Sequence, residues 1–134
     1  MTMIFSGDAQ VRRVYLDVPH SPGLRPSWYG ESVGHYEGDT LVVDTIALND
    51  KTFLDNYRIP HTEKLHVMEH YKLIDGGQTL QVTFRVDDPE TLYQPWSAIG
   101  KLRRVRIPMD EEVCAENNPN LFDYHIPVAS KLDF

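Results

Sequence analysis

The chain has 134 residues, of which 41% are hydrophobic and 25% charged, with a formal net charge of -7. That length makes one domain with its own hydrophobic core, here 1–134, and leaves no room for a second. No apolar run approaches the roughly eighteen residues of a membrane span, and the negative balance argues against binding a nucleic-acid backbone.

Cys114 is the only cysteine, which excludes an internal disulfide framework and thiolate-rich metal sites. The first residues pass at once into the polar turn Ser6-Gly7-Asp8 rather than into an export signal, so a cytoplasmic location is expected.

In chain order, Thr2–Phe5 and Val11–Asp17 flank that turn and read as a hairpin. Pro19, Pro22, Gly23 and Pro26 make the stretch from Val18 to Ser27 a loop over the surface or across a barrel mouth. Ser32–Glu37 and Thr40–Leu48, joined by Gly38-Asp39, form a second hairpin. The segment from His61 to Asp75 carries both helical and alternating spacings; strand is preferred, since Leu65, Val67, Glu69, Tyr71 and Leu73 alternate. Asp75-Gly76-Gly77 turns it into Thr79–Asp87, where Leu80, Val82, Phe84 and Val86 alternate without a fault. A last strand runs from Ser97 to Ile107 and ends at Pro108. Its Lys101, Arg103, Arg104 and Arg106 alternate faces as a solvated edge does.

Beyond Pro108 the pattern has no clear period, but Leu121, Phe122, Tyr124, Ile126, Val128, Leu132 and Phe134 would be costly in water. This irregular tail is expected to pack on the barrel or on a second copy, giving a homodimer. Six or more antiparallel strands with tight turns and almost no helix predict an all-β fold, a meander sheet closing into a lipocalin-like β-barrel.

Four of the six histidines, His35, His61, His66 and His70, fall between Gly30 and Asp75 with Asp44 and Glu69. Asp44 lies among Val42 and Ile46, Glu69 among Val67 and Tyr71, and Arg13 between Val11 and Tyr15. A charge on an apolar face marks either a different register or a buried group in need of a partner. One imidazole and one desolvated carboxylate suffice for acid–base work. His61, at the loop-to-strand junction after Pro60, pairs in this reading with Asp44 or Glu69, and His66 is a further candidate. A structural role for each is the alternative: Asp44 can cap a turn and Glu69 can pair with Arg13 or Arg85. Tyr15, Arg13, Trp28, Tyr36 and Tyr71 are candidate substrate-binding walls and donors, although such aromatics also serve as core.

His61 and His66 are five residues apart and face opposite sides of a regular strand, and no metal-binding spacing is present, so no metal is expected. Gly30-Glu31-Ser32-Val33-Gly34 superficially fits a nucleophile elbow, but a strand follows where the elbow needs a helix. No phosphate-cradling or dinucleotide fingerprint occurs, so no cofactor is expected.

The runs from Val11 to Asp17, from Trp28 to Thr45 (WYGESVGHYEGDTLVVDT), from Asn49 to Asp55, from Pro60 to Val67 and from Glu116 to Asn118 resemble the carboxy-terminal part of a widespread group of uncharacterised bacterial proteins. The resemblance covers most of residues 4–118; longer members of that group often carry an export signal and an extra amino-terminal segment. It implies a fold similar to the lipocalin-like or calycin-like barrels, which include carriers and cofactor-free lyases, isomerases and decarboxylases. The expected function is a cofactor-independent lyase or isomerase moving protons on a hydrophobic, aromatic or terpenoid-like molecule. A non-catalytic carrier of such a molecule is the alternative.

Overall fold

The structure, a computed structural model, describes residues 1–5, 10–55 and 57–107. The tail expected to mediate dimerisation, Cys114 and the Ser6-Gly7-Asp8 turn lie outside the described residues. Seven strands, β1 (Thr2–Phe5), β2 (Gln10–Leu16), β3 (Glu31–Glu37), β4 (Thr40–Ile46), β5 (His66–Ile74), β6 (Thr79–Asp87) and β7 (Trp96–Arg103), stand in chain order in one sheet. The sheet is curled into a half-barrel, and the only helical piece among the described residues is the short 3-10 turn Asp75–Gly77. Among those residues no helix is long and apolar enough to cross a membrane.

Register explains the curl. Residues directly opposite one another share a face, so the ladder stacks Tyr36, Leu41, Tyr71, Val82 and Gly100 in one layer. Leu16, Gly34, Val43, Glu69, Phe84 and Ala98 form the next, and Val14, Ser32, Thr45, Val67, Val86 and Trp96 the third. This is the inner face. Val14, Leu41 and Val43 are its buried centre, with Met3, Leu16 and Tyr71 packed against them, and Trp96 meets Phe84 edge to face at 5.9 Å. Each fully buried aliphatic side chain contributes about 1.5–3 kcal/mol. Small residues let the strands bend here: a Cβ on Gly34 would lie 2.9 Å from the Val42 carbonyl oxygen and 3.0 Å from Val14.

Five of the six neighbouring pairs are antiparallel, but β2 runs parallel to β3. The meander expected from the sequence is therefore interrupted once. The cause is the proline-bearing stretch 17–30, which is long enough to carry the chain back along the sheet and start β3 beside the second half of β2, with Ser32 opposite Val14. It is tied down where Ser27 pairs with Leu48: Ser27 N–H donates to the Ala47 carbonyl and Asn49 N–H to the Ser27 carbonyl.

β2 also corrects a face assignment. Arg12, Val14 and Leu16 point inward, while Arg13 and Tyr15 are exposed on the outer side. The last strand is shorter than expected, ending at Arg103, and Lys101, Arg103, Arg104 and Arg106 are all exposed beside it.

Gly30 closes the crossover with φ 60, and a Cβ there would collide with the Ile46 carbonyl oxygen. The left-handed conformation and the backbone contact both exclude a side chain. Gly30→Ala should lower unfolding free energy by about 2–4 kcal/mol in urea titration; an unchanged midpoint would show that this approach is not required.

Candidate functional site

Glu69 is the one carboxylate in the inner layers, set between Val43 and Phe84. Its partner is Arg12. The Arg12 guanidinium spans β3 and β4, holding Glu69 with both terminal nitrogens; Nη1 reaches Oε1 at 3.0 Å. Nη2 also donates to Thr45 Oγ1 at 2.6 Å and Nε to Ser32 Oγ at 3.0 Å, while Ser32 and Thr45 bond each other at 2.8 Å. The Tyr71 hydroxyl donates to Glu69 Oε1 at 2.7 Å.

Burial opposes the charge on Arg12, but the Glu69 carboxylate overrides it and the guanidinium is held more firmly protonated than usual. Burial and then the Glu69 charge push the Tyr71 phenol well above its ordinary range, Arg12 only partly offsetting them. Tyr71 is thus a fixed donor, unsuited to act as a base. The geometry is a paired, bidentate ion bridge rather than a free carboxylate able to take a proton.

Beside this cluster the half-barrel leaves an open groove of about 520 Å³. Met1, Met3 and Phe5 line it from one end of the strand order and Leu73, Leu80 and Leu102 from the other, with Leu41 and Tyr71 at its base and Tyr36 and Asp39 at its rim. Asp39 is salt-bridged to Lys72 at 3.1 Å, and that ammonium holds its carboxyl below the usual range.

The outer face carries a different chemistry. His66 Nε2 donates to Asp44 Oδ1 at 2.7 Å, reaching diagonally across the β4–β5 ladder from two residues before Met68, the residue opposite Asp44. From the crossover, His20 Nδ1 donates to Glu31 Oε2 at 3.0 Å, and Ser21 gives Glu31 both its N–H at 2.8 Å and its hydroxyl at 2.6 Å. The two Ser21 bonds, chiefly, hold the Glu31 carboxyl below its ordinary range.

His61 is buried but joins neither carboxylate. Its Nδ1 lies 3.1 Å from the Thr62 carbonyl, which can only accept, so Nδ1 carries the proton and Nε2 receives the Thr52 hydroxyl at 2.8 Å. Both ring nitrogens are engaged in pinning the 47–65 loop. The neighbouring Asp88 is fully buried and pins the same loop: burial works against its charge, but the Thr62 N–H at 2.6 Å and the Glu90 N–H at 3.0 Å keep its carboxyl below the usual range.

Of the sequence-derived candidates, Tyr36 and Tyr71 line the inner groove together. Tyr15 and Arg13 line a second, smaller opening of about 340 Å³ with Tyr29 and Glu31, and Trp28 is exposed next to it in sequence. Asp44 meets His66, and Glu69 meets Arg12 rather than Arg13 or Arg85. The candidate catalytic residues therefore divide among the loop, the inner face and the outer face. Sequence reasoning missed Arg12 and Glu31, and considered His20 only as a candidate third ligand of a metal site, not as a partner of Glu31. For Arg12 the signal was present, since it alternates with Val14 and Leu16; for His20 and Glu31, brought together by the crossover, no local period could have shown it. Among the described residues, no group of three or more histidine, cysteine or carboxylate side chains is arranged to hold a metal ion.

Removing one partner of a buried ion pair strands the other. Glu69→Gln is expected to cost about 2–3 kcal/mol, allowing for partial solvent contact, and Arg12→Met a similar amount. The double variant should cost less than the sum, by a coupling of about 1 kcal/mol or more; strict additivity in chemical denaturation would show that the two do not act as a pair. No protein-family model, curated protein or solved structure matches the chain.

Proposed function

We propose that the protein binds an apolar small molecule in the concave groove of its half-barrel. The observation that carries this reading is the lining: aliphatic side chains from β1, β4, β5, β6 and β7 converge on about 520 Å³, a size suited to an organic ligand. Tyr36 and Asp39 at the rim and the Tyr71 hydroxyl oxygen at the base are the few polar groups available to orient such a ligand. The carrier reading is favoured because both carboxylates at or beside the groove are held in ion pairs, Asp39 with Lys72 and Glu69 with Arg12. A hydrophobic aromatic or terpenoid-like molecule fits this lining. A cytoplasmic setting and assembly as a homodimer through the carboxy-terminal residues belong to the same reading, as does kinship with the uncharacterised bacterial group that the sequence resembles.

A second reading, a cofactor-free lyase or isomerase step, is supported by the 2.7 Å His66–Asp44 bond, in which the carboxylate orients an imidazole that is partly open to solvent. It faces away from the groove, so it requires a substrate approaching the outer face. In deuterium oxide, wild-type protein should then catalyse exchange of an acidic C–H of a test ketone, followed by proton NMR, at least about tenfold faster than His66→Ala; equal rates would remove the catalytic reading and leave the carrier.

For the groove itself, the neutral fluorescent probe N-phenyl-1-naphthylamine should bind saturably. Leu73→Asn and Leu102→Asn, each at a side chain more than half exposed, should leave the fold intact and weaken binding by about tenfold through lost apolar contact. Non-saturable fluorescence, or affinity untouched by both changes, would refute a ligand site there.

A further inference from the structure

The 17–30 crossover is strapped to the sheet through His20, and the ring is satisfied in only one protonation state. Glu31 can only accept, so the 3.0 Å contact places a proton on His20 Nδ1. In the neutral ring Nε2 is then a bare lone pair. That atom is shut off from water, has no hydrogen-bond partner, and lies 3.4 Å from Asp44 Oδ1, another acceptor. An acceptor shut off from water that faces another acceptor is unfavourable, whereas a second proton converts the contact into a charge-assisted bond.

We propose that His20 is a proton-operated latch: its imidazolium bridges Glu31 on β3 and Asp44 on β4 and holds the 17–30 strap to the outer face, and loss of the second proton releases the strap. The charged and titratable groups facing the ring are Glu31 on β3, Asp44 on β4 and, through the shared Asp44 Oδ1, His66 on β5. The two histidines differ in what they need. His66 keeps its bond to Asp44 as a neutral ring with the proton on Nε2, while His20 reaches Asp44 only when doubly protonated. The strap is therefore held on the acid side of the histidine range and loosened above it.

The strap reports its own state, because Ser21 N–H donates to Glu31 and Ser27 N–H to the Ala47 carbonyl. Amide hydrogen exchange of the full chain, corrected for intrinsic rates, should show protection at Ser21 and Ser27 falling about tenfold between about pH 5.5 and 8, while β5–β6 ladder amides hold. The midpoint should coincide with the His20 ring titration followed by NMR. His20→Gln should abolish this pH dependence and His66→Gln should keep it. Flat protection, a midpoint following His66, or an unchanged pH dependence in His20→Gln would overturn the latch. Should His20→Gln fail to fold, the wild-type titration decides alone, since each ring is read separately.

Discussion

The Arg12–Glu69 bridge is the constraint on which the rest of the sheet depends. Glu69 belongs to a strand whose same-face neighbours are Val67 and Tyr71, so folding takes a carboxylate out of water. Unpaired, that costs several kcal/mol. The guanidinium must therefore reach it from β2, across β3 and β4, with Ser32 and Thr45 taking the remaining donors on the way. A slip of one residue in β2 would send Arg12 to solvent and bring Arg13 and Tyr15 inward, leaving Glu69 alone. The same bridge fixes the chemistry of Tyr71: half-buried and bonded to the Glu69 carboxylate, the phenol is pushed well above its ordinary range.

With that register in place, the sheet separates two environments. Its inner face is aliphatic and aromatic apart from the bridged pair and the Ser32 and Thr45 hydroxyls that bond Arg12, and the curl brings Met3 near Leu80 and Leu102 around one groove. Its outer face collects His20, Glu31, Asp44 and His66, whose mutual bonds span a crossover and three strands. A strand sends successive side chains to opposite faces, so Val43 and Asp44, adjacent in sequence, belong to different chemistries. The apolar groove and the titratable side chains thereby lie on opposite faces, which is why the proposed binding role of the groove and the proposed protonic role of the outer face are separate readings rather than parts of one active site.

His61 illustrates how a residue well placed in sequence can be committed elsewhere. It follows a proline at a loop-to-strand junction, where a side chain could reach a barrel mouth. The loop instead uses it internally: Thr52 and Thr62 take its two nitrogens, and Asp88, through Thr62, secures the same turn from the far end of β6. A buried imidazole with both nitrogens bonded is a structural clamp.

The sequence by itself determined the all-β class and most of the strands, because alternation with period two survives wherever one face is buried and the other wet. Thr79–Asp87 shows it most clearly, with bounds identical in sequence and structure, and Gly38-Asp39 marks a tight hairpin from composition alone. What only tertiary structure decided were the relations between distant segments. The parallel pairing of β2 with β3 depends on how far 17–30 travels, the choice of Arg12 over Arg13 on which strand lies across the face from Glu69, and the meeting of His20, Glu31, Asp44 and His66 on the crossover's path over the sheet. Local periodicity carries the direction of a side chain relative to its own strand; it carries no information about which strand lies beside it, and partners for buried charges are settled there.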